Sequence, residues 1–110
     1  MTVYVDAAEH PYRGMLMCHL WADTLEELYA MVDRIGVQRK WLQQPPKASW
    51  VHFDIAKTKK ALAIQAGAVL PDRYGPVEHT ARLKIASGNP VLVAIGERKL
   101  KMVAEVRAMK

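Results

Sequence analysis

The residues of this chain that can do chemistry are few, and they sit beside extended segments. Asp6 follows Thr2-Val3-Tyr4-Val5, a β-branched and aromatic run that reads as a short strand. Met15 to Ala22 is a continuous apolar run of strand length, carries His19, ends at Asp23, and reads as a central strand buried on both faces. His52 and Asp54 bracket Phe53 just ahead of a helical stretch. If the strands are parallel neighbours, these polar side chains gather at one edge of the sheet, where ligands bind in open α/β folds. His10, Arg13 and the lysines after Asp54 would then line the same cleft.

Two chemistries fit this set. In the first, Arg13, His52, Lys59 and Lys60 hold an anionic ligand, and Asp6 and Asp54 orient them or meet ligand hydroxyls. The N–H groups of the helix after Asp54 would add donors, in competition with Asp54 as its cap. Trp41, Trp50 or Tyr12 would stack on a base. In the second, Asp6, His19, His52 and Asp54 hold a divalent metal or form the acid/base set of a hydrolase. Their spacings match no recognised metal motif, so no metal ligands are assigned and the cofactor stays open. Plainer roles compete with both. Asp23 and Asp54 suit helix N-caps, His19 a satisfied core histidine, Asp6 a turn cap, and the three tryptophans the core. No phosphate-cradling glycine loop and no serine nucleophile elbow occurs.

The elements that must position these groups follow from periodicity. Ala7 to Gly14 reads as a loop. Leu25, Leu28, Tyr29, Val32 and Ile35 recur at helical spacing after Asp23, and Gly36 suits the left-handed stop. A second helix is predicted from Ile55 to about Ala66, capped by Asp54 and ended by Gly67. Ala68 to Leu70 reads as a short strand, and Pro71 to Pro76 as a turn-rich hinge. A third helix is predicted over Val77 to Ala86 with Pro76 at its start. Asn89-Pro90 opens a last helix running toward Met109, although Gly96 could break it into a strand and a basic helix.

Length and composition set the class. With 110 residues, 51% of them hydrophobic, the chain has the size and make-up of one globular domain. One cysteine, Cys18, rules out an internal disulfide and a four-thiolate zinc site, and its apolar surroundings predict a buried, inert thiol. No signal peptide or membrane span is visible, so a cytoplasmic protein is expected. The net charge of +5 suits an anionic partner. The stretch containing Arg82, Arg98, Lys99, Lys101, Arg107 and Lys110 is basic, and two helices joined by Ser87-Gly88-Asn89-Pro90 resemble a helix-turn-helix loosely. The apolar Val91 to Ile95 argues instead for a packing or dimerising helix.

Three blocks carry a family resemblance. They are Val3-Tyr4-Val5-Asp6, Met17-Cys18-His19-Leu20-Trp21-Ala22-Asp23 leading into the helix that ends Arg34-Ile35-Gly36, and His52-Phe53-Asp54-Ile55 followed by Lys59-Lys60-Ala61-Leu62-Ala63 and Gly67-Ala68. On these, residues of about 1–70 resemble an uncharacterised family of small bacterial and phage proteins, a domain of unknown function. This chain has Lys60 where members often carry Arg, and it is longer than usual from Pro71 onward. The resemblance implies no activity; it suggests a prophage or defence-related setting.

The expectation is a small α/β domain with a short sheet and three or four helices. Residues 1–70 would form the family-like core, with 71–110 a helical extension packed on it. The function expected is a binding module for a phosphorylated or nucleotide-like small molecule. Its ligand-binding residues would be Asp6, Arg13, His19, His52, Asp54, Lys59 and Lys60. A metal-dependent hydrolase using the same His/Asp cluster is the alternative. A basic nucleic-acid or protein-interaction subunit is the third reading, and a homo-oligomer is compatible with any of them.

Overall fold

The computed structural model describes residues 2–48 and 50–109; Ser49 and Lys110, the last cation of the basic stretch, lie outside them. The fold is α/β, with a four-stranded sheet and four α-helices. In chain order these are β1 (Val3–Val5), β2 (His10–Tyr12), β3 (Met15–Ala22), α1 (Leu25–Ile35), β4 (Phe53–Ala56), α2 (Lys57–Gln65), α3 (Gly75–Ala86) and α4 (Pro90–Ala108). A short 3-10 turn, Arg39–Trp41, lies between α1 and β4. The chain divides into two compact units, Met1–Asp72 and Arg73–Lys110.

In the first unit, β3 is the strand to which every other strand pairs. It takes β1 and β2 along its length and β4 as a further partner, all antiparallel. These strands are therefore not the parallel neighbours that an edge cleft of the open α/β kind would need. Alternation along β3 then sorts the side chains. Cys18 and Leu20, opposite Ile55 and Phe53, face a core that also holds Val5, the α1 residues Leu28, Met31, Val32 and Ile35, and Ala63 of α2. His19, opposite Asp54, and Trp21, opposite Tyr4, project from the other face. β3 is not buried along its whole length, since Met15 and Leu16 at its start are exposed.

Four local readings change for identifiable reasons. The segment read as a loop over 7–14 contains β2, joined to β3 by a two-residue turn. Arg13 and Gly14 both have positive φ (49° and 79°), the geometry that matches the twist of a tight hairpin. Asp23 does not cap α1. Thr24 does, accepting from the Glu27 amide at 3.2 Å, while Asp23 accepts from the Thr2 amide and the Tyr4 hydroxyl and so ties β1 to the end of β3. Asp54 is likewise no cap. Phe53 and Ile55 gain burial and ladder hydrogen bonds by pairing with β3, so helix formation waits until Lys57, where no side chain caps it. The expected strand at Ala68 to Leu70 amounts to a single parallel bridge between Val69 and Tyr4.

The second unit is a helical hairpin of α3 and α4. Asn89 caps α4, accepting from the Val91 and Leu92 amides, and Pro90 sits in its first turn. The helix runs unbroken through Gly96, because there the two helices meet closely. A Cβ at Gly96 would lie 2.6 Å from the Ala81 carbonyl oxygen and 2.9 Å from Ile85 Cγ1. Gly96→Ala should therefore destabilise the protein by about 1–3 kcal/mol, because overpacking against backbone outweighs the roughly 1 kcal/mol gained in helix propensity. Thermal unfolding followed by circular dichroism checks this; a variant with a raised Tm would refute the close approach.

Candidate metal centre

The sheet register assembles a cluster that sequence spacing hides. Directly paired residues share a face, so His19 and Asp54 project side by side. His10, opposite Met17 on the same face, lies diagonally next to His19, and their rings are 5.2 Å apart. His52 enters one residue before β4, where it bridges backbone to backbone with Gln43. Asp6 follows β1 and meets the same strand.

The distances show what these groups converge upon. His52 Nε2 is 3.6 Å, His10 Nε2 3.8 Å and His19 Nε2 3.9 Å from one atom, Asp54 Oδ1. All three separations exceed a hydrogen bond. Among the described residues, Asp54 Oδ1 is buried with no hydrogen-bond partner, while its other oxygen accepts from the Gln43 amide at 2.6 Å. One ring nitrogen of each of His19 and His52, together with a carboxylate oxygen of Asp54, fall within 4.8 Å of one another.

Partners on the far side of the rings fix which nitrogen faces Asp54. His52 Nδ1 lies 3.0 Å from the Trp50 carbonyl oxygen, which can only accept, so Nδ1 carries the proton. His19 Nδ1 lies 2.6 Å from Asp6 Oδ2, and the Asp6 Oδ1 accepts the His19 backbone amide at 2.9 Å. With both Nδ1 atoms donating, each ring, when neutral, presents an Nε2 lone pair to a carboxylate oxygen. Three acceptors then face one another with no donor between them, an arrangement stabilised by a cation. Histidine ligands in metal sites are oriented in this way, by a carboxylate or carbonyl on the outer nitrogen.

The proton affinities follow. The Asp6 hydrogen bond raises the His19 pKa, burial opposes it, and the charges of Asp6 and Asp54 reinforce the rise. Burial pulls the Asp6 carboxyl upward, but the His19 side-chain and backbone hydrogen bonds and the imidazolium charge outweigh it, and the net shift is downward. Burial lowers the His52 pKa despite the Trp50 carbonyl and Asp54, which keeps that ring neutral and able to donate a lone pair. Trp50 stacks on the His52 ring at 4.4 Å, and Trp21 meets Trp50 at 5.5 Å, so indoles wall one side of the cluster. His10, His19 and Asp54 keep side-chain exposures of 38%, 30% and 30%, which leaves an approach for a solvent molecule.

Of the residues expected to bind a ligand, Asp6, His19, His52 and Asp54 come together. Arg13 is in the hairpin turn with its guanidinium over the Tyr12 ring. Lys59 donates to the Ile35 carbonyl oxygen at 3.0 Å, completing the C-terminal end of α1. Lys60 lines a shallow depression with Lys57, Ala8 and Cys18. The Cys18 thiol is buried, and burial pushes its pKa up to about 11, consistent with an inert thiol. His10 and Gln43 belong to the cluster and carry no local motif; only the β2–β3 hairpin and the bridge to His52 bring them in.

Fold and cluster together define a small α/β protein with a histidine–carboxylate centre on the sheet face opposite α1 and α2. The chain belongs to the family of proteins of unknown function DUF4031, whose model matches residues 3–83. The match continues past Pro71 into α3, beyond the blocks that carry the resemblance in the sequence. No curated protein and no solved structure matches the chain. Among the described residues no helix is long and apolar enough to cross a membrane.

The Asp6–His19 pair should make the stability of metal-free protein depend on pH in a defined window. His19 has a raised folded pKa, so its contribution is complete below 6.5 and is lost as pH rises through the folded value. Asp6 has a lowered folded pKa, so its contribution is present above 3.8 and is lost as pH falls through the folded value. The pair is thus fully effective between 3.8 and 6.5. Asp6→Asn should lose most stability relative to the parent inside that window, and NMR titration should show the His19 pKa falling. A His19 pKa unmoved by Asp6→Asn would refute the pairing.

Proposed function

We propose that His19, His52 and Asp54 bind a divalent transition metal, with His10 beside them and Asp6, the Trp50 carbonyl and Gln43 orienting the ligands, and that the metal would activate water for hydrolysis. The observation that carries this reading is the convergence of three Nε2 atoms on a buried, unbonded Asp54 Oδ1. Imidazole-rich sites with one carboxylate suit Zn²⁺ and its first-row neighbours, whereas Mg²⁺ and Ca²⁺ prefer all-oxygen shells. Metal–ligand bonds of about 2.0–2.2 Å place tetrahedral ligand atoms roughly 3.4 Å apart, whereas the ligand atoms of His19, His52 and Asp54 lie within 4.8 Å of one another, so the site would have to contract to close on an ion.

The partial exposure of His10, His19 and Asp54 supports a reactive rather than a purely structural metal, because catalytic sites keep a position open to solvent. A metal held there by His19, His52 and Asp54 would supply Lewis-acid activation of water near neutral pH. The same open position would also receive an anionic ligand oxygen. A phosphorylated or nucleotide-like small molecule therefore remains compatible with the site through the metal's charge. Arg13 and Lys59 give it less support, because each is already engaged elsewhere in the first unit.

Titration with Zn²⁺ or Co²⁺ should give one tight site per chain. At a hundred times its Kd, the metal should stabilise the fold by about 2.7 kcal/mol. His52→Ala and His19→Ala should each abolish binding, and the Co²⁺ form should show a d–d spectrum with an ionisation near pH 7 that phosphate or azide displaces. Full occupancy in His52→Ala would overturn the ligand assignment. A spectrum insensitive to pH and anions would overturn the open position and leave a closed structural metal.

A further inference from the structure

We propose that α4 pairs antiparallel with the α4 of a second copy of this chain, forming a two-fold dimer. This inference is independent of the metal reading. It begins with the two apolar stripes of α4, where packing on α3 needs one. The first holds Gly96 and Val103, the buried residues of the helix, and meets α3 at Gly96. The second is Val91, Ile95, Met102 and Met109, the last of these being the C-cap. At about 100° per residue, these four fall within roughly 40° of arc and lie about 100–140° round the helix from Gly96. Val91, Met102 and Met109 are 69%, 42% and 85% exposed, so no described residue covers the stripe.

The spacing of this second stripe is that of a helix–helix seam. Ile95, Met102 and Met109 recur every seven residues. Val91, Arg98 and Glu105 form a second seven-residue series interleaved with the first. Together they occupy the a and d positions of a heptad repeat, the pattern that packs one helix along another.

The two charged members decide the partner. Arg98 and Glu105 are exposed and enter no ion pair among the described residues. Opposite signs within one series make the stripe complementary to itself. In a parallel pair, like positions meet, so Arg98 would face Arg98 and Glu105 would face Glu105. An antiparallel pair centred on Leu100 sets Val91 against Met109, Ile95 against Glu105 and Met102 against Arg98. Arg98 then lies about 4.5 Å along the axis from Glu105 of the second copy, and the two-fold repeats the pair. Lys99 lies on the α3 side of the stripe and Lys101 on the other, each near its counterpart in the second copy and open to solvent. The pairing runs the whole of the 19-residue helix. One helix face is still small beside the interfaces of permanent dimers, so the dimer exchanges with monomer.

The test is sedimentation velocity of the full-length protein in EDTA, from micromolar to millimolar concentration. The expected result is a reversible monomer–dimer equilibrium that stops at the dimer. Arg98→Glu turns both attractive pairs into repulsive ones and should raise the dissociation constant roughly tenfold. The exchange Arg98→Glu, Glu105→Arg restores both pairs with their signs reversed. It should recover the parent constant, which separates lost pairing from misfolding. Lys101→Gln removes a like-charge approach and should tighten the dimer. His52→Ala should dimerise as the parent does, so a failed metal site leaves this result standing. Monomer at every concentration, association that continues beyond the dimer, an unaffected Arg98→Glu variant, a charge exchange without recovery, or a Lys101→Gln variant with a weakened dimer would each overturn the proposal.

Discussion

Backbone pairing along Met15–Ala22 is the constraint on which the first unit depends. One strand serves the core and the site at once, with even-numbered residues Cys18 and Leu20 sealed against α1 and α2 and the odd-numbered His19 and Trp21 projecting the other way. A one-residue slip of β4 would exchange these roles, burying Asp54 among the leucines and exposing Phe53. Burial of Phe53 and Ile55, worth roughly 1.5–3 kcal/mol each, therefore holds the carboxylate opposite His19 as firmly as any contact of the carboxylate itself. Register is further held at both ends of β3, by the Arg13-Gly14 turn at its start and by Asp23 at its finish.

Against that frame stands an electrostatic arrangement that leaves one buried acceptor without a hydrogen bond among the described residues. A buried carboxylate oxygen without a donor costs on the order of 1–3 kcal/mol, and folded proteins rarely tolerate it without cause. Here the cost is compounded, because both neighbouring rings are oriented by partners that place protons on their far sides. The hydrogen bonds that look like ordinary satisfaction of His19 and His52 are what turn their lone pairs inward. Removing Asp54 would relieve the frustration, and a cation between its Oδ1 and the neighbouring imidazoles would relieve it as well.

How much of this was legible in the sequence depended on whether the deciding interaction was local. α1 and α4 could be read from apolar spacing and from Gly36 and Asn89, whose cap geometry is set within a few residues. β4 could not, because Asp54 before a run of lysines has the composition of a helix start, and the ladder that overrides it comes from a strand more than thirty residues earlier. β2 was hidden because three residues carry little periodicity and Arg-Gly lacks the Asn-Gly or Asp-Gly signal of a tight hairpin. The chemistry of Asp6, His19, His52 and Asp54 could be read from residue type alone. Their convergence could not, because the ligands come from separate segments and only the antiparallel register brings them within reach. Lys59 shows the opposite case: its ammonium sits on a carbonyl twenty-four residues away, which no local pattern announces.

The partition of charge gives the two units different ways of attracting a partner. In the first, cations and anions balance, so no long-range field draws an anion toward the cluster, and recognition there rests on what happens within a few ångströms. Under the metal reading, a divalent ion held by His19, His52 and Asp54 would leave a local net positive charge, confined by the indole wall and screened little by salt because the site is partly buried. In the second unit cations outnumber anions eight to three, the condition under which attraction acts at a distance but fades with ionic strength.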